Sequence, residues 1–403
     1  MKIFKNAILP NGFKISGIHC GIKRSKKKDL GLIYSFFPCV ASGMFTSNKV
    51  QAASLKVCKA HLKNKQSRVI LVNSGNANCF TGEKGVDHAI DIIKALAKKL
   101  GVTQRSILIA STGIIGKPLP IKIVKQAIPR LCQSLGKEKA KDFAQAILTT
   151  DTFKKCISLQ ITIKNKPVII TGFAKGAGMI YPKLKLNSNK HATMLAFILT
   201  DANISKSLLS SALVSAVDKS FNCISIDACM STNDTVLAMA NSAAKNLVIS
   251  KNDSNFKLFK AALYYVCWWL SRMIVSDAEG ATKLIDVSVE GAKSLKEAQL
   301  AASSVANSNL FKTAMFGGDP NWGRIVAAIG ASGIALEQKR IQISFNNKKV
   351  FNNGRIHAIK PRDFLKKTKL ICVDINLKRG KFRHSTLTSD LTPKYVKINA
   401  EYN

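Results

Sequence analysis

The chain has 403 residues, of which 46% are hydrophobic, with 24 glycines and 10 prolines; this excludes disordered and fibrous classes and allows one large or two ordinary domains. Its 62 basic and 23 acidic residues leave a net charge of +39, at the level of composition the mark of a nucleic-acid binder. Yet the lysines are spread along the whole chain, and the densest run, KRSKKK at Lys23–Lys28, has no interleaved aromatics for base stacking, so the charge reads as compositional drift over solvated faces.

Taken in order, the first third alternates strands and helices joined by glycine-rich turns. SRVILV (Ser67–Val72) is a short apolar strand opening into the small-residue loop NSGNANCFTGEKG, and Asp87–Leu100 follows as an amphipathic helix closed by Gly101. A second strand, Ser106–Ala110, runs into STGIIGKPLP, a loop built to aim backbone N–H groups at a ligand. Lys117–Leu148 reads as helical with an interruption at Pro129, and SLQITI and PVIITG form a hairpin across KNK. The stretch from Lys175 to Asp201 then passes from a glycine turn through a polar, lysine-rich loop into the buried strand Met194–Leu199, with Thr193 at the seam.

Beyond it, Ser205–Ser220 is an amphipathic helix, and SFNCISIDACMSTNDT is a strand entering a polar loop. Asn255–Leu270 is an aromatic core helix, and SDAEGATKLIDVSVEGA is a loop holding Glu279 followed by an alternating strand. Ser294–Ser308 is helical, FGGDPNWGRIVAAIG has turn signals around Trp322 and Arg324, and the strands IQISF and LICVDINL precede the closing SDLTPKYVKINAEYN. No repeat and no composition shift marks a domain boundary.

The chemistry is narrowed by what is missing. There is no G-x-S-x-G elbow, no H-E-x-x-H and no Walker loop, and the six histidines are scattered. The ten cysteines (20, 39, 58, 79, 132, 156, 223, 229, 267 and 372) form no CxxC pair, so they read as reduced, mostly buried thiols of a cytoplasmic protein rather than metal ligands. Apolar segments such as Ala261–Leu270 stop short of the roughly 18 residues a membrane span needs, and the N-terminus has no secretory h-region. Thr193 is either a β-branched residue starting a strand or a nucleophile: a Thr freed as a new N-terminus can use its own α-amino group as base.

KGAGMI and ATMLAFILTDA resemble the self-cleaving segment of the ornithine acetyltransferase family, the bifunctional glutamate N-acetyltransferases of arginine biosynthesis. GMFTSNKVQAA, VNSGNANCFTG, STGIIGKPLP, TTDTFKK, STNDT, DAEGATK, FGGDPNWGRI and YVKINAEY fit the same family in the same order. The resemblance implies an α/β protein with an αββα-type layered core, as in the ornithine acetyltransferase and DmpA-like fold, of the N-terminal-nucleophile kind. It also implies cleavage between Ala192 and Thr193 into an alpha chain (1–192) and a beta chain (193–403), assembled as a heterotetramer of two of each.

By the same resemblance, Thr193 is the nucleophile acetylated in a ping-pong cycle, Thr112 and Gly113 stabilise the oxyanion, and Thr152, Lys175, Thr193, Glu279 and Asn399 contact substrate. The expected substrates are N2-acetylornithine and glutamate, with no cofactor or metal; acetyl-CoA stands as a second acetyl donor that these motifs do not decide. A related aminopeptidase or amidase using the same nucleophile, and a degenerate basic nucleic-acid-binding protein, are the alternatives. Three departures from the family pattern stand out: the inserted KLKLNSNKH before the scissile bond, Asp227-Ala228-Cys229 where the family reads Asp-Gly-Asp, and an end at Asn403 without the family's substrate-contacting Thr.

Overall fold

The computed structural model describes residues 1–185, 194–357 and 364–401. They form two compact units, Met1–Asn222 with Cys229–Ile274, and Cys223–Ala228 with Val275–Asn403. The uniform composition hid this division, because the chain leaves the first unit for six residues, returns, and leaves again.

In chain order the first unit contains β1 (Lys2–Phe4), β2 (Phe13–Ile18), β3 (Leu30–Phe45), α1 (Ala53–Leu62), β4 (Ser67–Asn76), α2 (Gly82–Leu100), β5 (Ile107–Ile114), α3 (Ile121–Gln133), α4 (Ala140–Ala146), β6 (Lys155–Ile163), β7 (Lys166–Lys175), β8 (Leu195–Thr200), α5 (Lys206–Asp218), β9 (Thr235–Ala240) and α6 (Ser254–Ser276), whose last residues lead out of it. Among the described residues these strands make one nine-stranded sheet in the order β1-β6-β7-β8-β9-β3-β4-β5, with β2 paired to β3. Both faces of the sheet are covered. On β5, Ile107 and Ile109 join the cluster of Ile92, Leu96, Val124 and Ile128 from α2 and α3, while Leu108 and Ala110 join the cluster containing Phe143, Phe173 and Phe197. Phe143 meets the other two edge-on, with ring centroids 5.3 and 5.8 Å away. All six residues of β8 are buried, between antiparallel β7 and parallel β9, which explains why MLAFIL carries no polar alternation.

The second unit contains β10 (Leu284–Ala292), α7 (Leu295–Ala306), α8 (Asn309–Gly317), α9 (Trp322–Gly330), β11 (Gln342–Phe345), β12 (Lys348–Asn352), β13 (Arg355–Ile356), β14 (Leu370–Asn376), β15 (Phe382–Ser389) and α10 (Pro393–Ala400). Its sheet runs β13-β12-β11-β14-β10-β15. Alternate residues of β10, Ile285, Val287 and Val289, share a core with Ala298, Ala302 and Val305 of α7. Both units are thus mixed sheets layered with helices, the expected α/β class.

Two local expectations are corrected. Pro129 does not interrupt its helix: α3 runs through it, and its buried stripe of Val124, Ala127, Ile128 and Leu131 outweighs one lost N–H bond. The break comes at Gly136, which exchanges two backbone hydrogen bonds with Ile15. SFNCISID is not a strand; Ile224 makes a single bridge, to Leu387, and the strand follows the polar loop as β9. The turn signals ahead of Trp322 and Arg324 hold: Gly318 closes α8 in the left-handed region, and Asn321 caps α9, accepting from the Arg324 N–H.

Candidate active site

In the first unit the site grows from the ends of two parallel strands. β4 ends in NSGN and β5 in STGI, paired with Gly75 opposite Gly113. Gly113 sits at φ +135, and a Cβ there would lie 2.3 Å from the Gly75 carbonyl carbon and 2.4 Å from the Asn76 nitrogen; only glycine lets the two backbones touch. Asparagines hold the arrangement: Asn233 donates to the carbonyls of Ala77 and Ser111, both at 2.7 Å, and the Ser111 hydroxyl donates to Asn73 at 2.7 Å.

Thr112, 1% exposed, presents its hydroxyl to Lys175, the last residue of β7. The Lys175 ammonium donates to Thr149 Oγ1 at 2.7 Å and to Thr112 Oγ1 at 3.3 Å, and it lies 4.0 Å from Asp151. Because the Thr112 oxygen accepts from a cation, its own O–H is polarised and is a stronger donor. Asp151 is the counter-charge. Its carboxylate receives Lys155 Nζ at 2.7 Å and the backbone N–H groups of Gly176 at 2.7 Å and Thr149 at 2.9 Å. Burial alone would raise its pKa, but the charges of Lys175 and Lys155 and the Gly176 N–H outweigh that and hold it below the usual carboxylate range. Lys23, from the basic run, also comes here: it donates to the Leu148 carbonyl at 2.7 Å, and burial first, with Lys175 adding to it against the pull of Asp29, brings its pKa down to about 8.

Asp234 in STNDT behaves oppositely. It is fully buried, neither carboxylate oxygen has a hydrogen-bond partner among the described residues, and burial raises its pKa well above the carboxylate range although the charge of Lys175 opposes this. Asp151, Lys155 and Asp234 lie within the TTDTFKK and STNDT stretches, but no spacing in the sequence marks their roles, because 151–154 is loop rather than helix.

In the second unit Glu279, 8% exposed, accepts a hydrogen bond from Asn399 at 2.8 Å. The turn that carries it is fastened by Asp390, which accepts from the N–H groups of Thr282 and Lys283 at 2.8 and 2.9 Å. Gly280, at φ +69, lets α10 approach: a Cβ there would stand 2.6 Å from the Tyr395 nitrogen.

The structure therefore brings Thr112, Gly113 and Lys175 together in one unit, and Glu279 and Asn399 together in the other. Thr152 is exposed beside Asp151. Ala192 and Thr193, most of the KLKLNSNKH insertion and Asn403 lie outside the described residues. The start of the insertion does not: Leu184 is buried and exchanges two hydrogen bonds with Asn222, at 2.6 and 2.9 Å. Where the family has glycine, Ala228 adopts φ 56, so the left-handed turn is kept without the residue that favours it.

Comparison with known proteins identifies the family. The ArgJ family model matches residues 14–403. A curated relative from Caldanaerobacter subterraneus subsp. tengcongensis, arginine biosynthesis bifunctional protein ArgJ, is 43% identical over 401 residues, which are 98% of this chain and 97% of the relative. A Clostridium acetobutylicum relative, arginine biosynthesis bifunctional protein ArgJ 1, is 42% identical over 97% of this chain and 95% of its own. The solved arginine biosynthesis bifunctional protein argJ from Bacillus halodurans is 38% identical with a TM-score of 0.50, covering 52% of this chain and 100% of that one.

Proposed function

The chain belongs to the ArgJ family, and from that premise we infer that it is a glutamate N-acetyltransferase of arginine biosynthesis, moving acetyl from N2-acetylornithine to glutamate through an ester on Thr193. In the first half-reaction the Thr193 hydroxyl oxygen attacks the acetyl carbonyl, its proton passes by way of the Thr193 α-amino group to the departing amine, and ornithine leaves. In the second, the glutamate amine attacks the ester, and the proton it loses returns to the Thr193 oxygen.

The observation that carries this reading is the convergence of Lys175 on Thr112 beside Gly113. The polarised Thr112 hydroxyl and the neighbouring backbone supply donors for the oxyanion, and Lys175 supplies a cation for the substrate α-carboxylate. Glu279 supplies the anion for the ornithine side-chain ammonium, supported by Asn399, and Thr152 adds a further substrate contact. Acetyl-CoA is a candidate second donor for the glutamate half-reaction. No helix among the described residues is long and apolar enough to cross a membrane. The resemblance to the family is what supports a cytoplasmic heterotetramer of two alpha (1–192) and two beta (193–403) chains.

Denaturing electrophoresis with N-terminal sequencing tests the cleavage. Scaling 43.8 kDa by 192 and 211 residues gives fragments of about 21 and 23 kDa, the second starting Thr-Met-Leu. Thr193→Ala is expected to remain one band without transfer. Release of ornithine from acetylornithine should depend on glutamate; glutamate-independent release would indicate an amidase instead.

A further inference from the structure

Asp227 immediately precedes Ala228, where this chain departs from its family's pattern, and its carboxylate accepts a hydrogen bond from the Tyr395 hydroxyl at 3.2 Å. The segment that presents it is pinned from several sides. The Ser225 N–H donates to the Leu387 carbonyl at 2.8 Å, the Ser225 hydroxyl donates to Asn307 at 2.5 Å, and the buried Lys312 ammonium donates to the Ile226 carbonyl. Asp227 is therefore a fixed point, and Tyr395 is what it fixes.

Tyr395 stands at the first turn of α10. Its carbonyl accepts from Asn399 Nδ2 at 3.0 Å, and the same amide donates to Glu279 Oε2 at 2.8 Å. The two N–H groups of Asn399 thus tie the Glu279 carboxylate to the backbone of Tyr395. The contact is short on the other side too: Thr392 Oγ1, the helix cap, donates to the Gly280 carbonyl at 2.8 Å, and the missing side chain of Gly280 is what lets the Tyr395 nitrogen approach.

We propose that Tyr395, anchored by Asp227, is a positioning residue that sets the orientation of the Glu279 carboxylate toward the cationic end of the substrate. The proposal rests on the assignment of Glu279 to the substrate ammonium given above. One Glu279 oxygen is used by Asn399, leaving the second to receive an ammonium group, and its direction is set by the seat of α10. A phenol held by a carboxylate fixes that seat more tightly than ring packing alone, since a charge-assisted hydrogen bond is stronger than a neutral one.

Steady-state kinetics of Tyr395→Phe and Asp227→Asn, with N2-acetylornithine varied at saturating glutamate, test this. Both variants should raise KM for N2-acetylornithine by roughly fivefold, the worth of about one hydrogen bond, with kcat within about twofold of the parent. The double variant should be no worse than either single one, because both break the same bond. In a Glu279→Gln background, Tyr395→Phe should add nothing further to KM. An unchanged KM in both folded single variants would overturn the proposal, as would effects that multiply in the double variant or persist in Glu279→Gln. Parent enzyme with no glutamate-dependent transfer would instead sink the functional assignment itself, so the two failures are distinct. If Tyr395→Phe does not fold, Asp227→Asn, which keeps shape and removes charge, decides alone.

Discussion

The Lys175 cluster and the Glu279 pair hold their charges by opposite means. Lys175 is buried among hydroxyls and an ion pair, with Asp151 satisfied by two lysines and two backbone N–H groups. Glu279 rests on one amide from an exposed residue of α10. The first arrangement leaves the acyl-handling groups no freedom, as oxyanion donors require, since they act only if pre-aimed. The second holds one carboxylate oxygen and leaves the other to the substrate, which suits a group that binds and releases an ammonium chain.

On that contrast, the largest effect belongs to Lys175→Met. It strands Asp151 with a single cation, so transfer should fall by about 10²-fold or more, and stability by about 3 kcal/mol; initial rates and urea melts measure both. A variant melting like the parent would show that the cluster is not over-determined. Gly113→Ala comes next. Its φ and the 2.3 Å approach to Gly75 should cost about 3 kcal/mol and misplace the strand end, which a fold-sensitive melt and a transfer assay both read.

The two buried aspartates offer a pH test with opposite signs. Asp151 has its folded pKa below the ordinary 3.8, so its contribution is complete above pH 3.8 and is lost as pH falls below it. Asp151→Asn should therefore be less stable than the parent by about 2 kcal/mol at pH 7, with the gap closing in acid. Asp234 has its folded pKa raised, so it costs nothing below pH 3.8 and increasingly more as pH rises above it. Asp234→Asn should melt higher than the parent at pH 7 and equal to it in acid. Like-signed gaps in the two variants would contradict the charge assignment. The smallest effect is expected from Ala228→Gly, which relieves a left-handed alanine in the second unit and should add about 0.5–1 kcal/mol without altering transfer.

Much of the fold was legible because burial writes itself into spacing. The α2 stripe and the all-apolar β8 follow directly from which faces are covered, and the KNK turn is a two-residue hairpin with Lys164 and Asn165 both at positive φ. Pro129 misled because a single missing N–H is a small term against a buried helix face. SFNCISID misled because Ile224 and Ile226 are buried by an excursion into the second unit, and no local pattern signals that. At the site, Thr112, Gly113, Lys175, Glu279 and Asn399 were reached through family motifs, whereas Asp151 and Asp234 needed coordinates: one acid among 62 basic residues gives no sign in sequence of which lysine it meets.

The position of β8 and β9 inside the first sheet has a consequence for a chain cut before Met194. Both strands would belong to the later fragment, yet they lie between β7 and β3 of the earlier one. Separating the pieces would mean opening the sheet through its middle and wetting a strand with six buried residues, so dilution should not dissociate them. Their pairing is settled once, when the intact chain folds, and mass action has no later say in it. Fragments produced as separate chains would have to close that sheet around an absent centre, a far slower route than cutting a finished one.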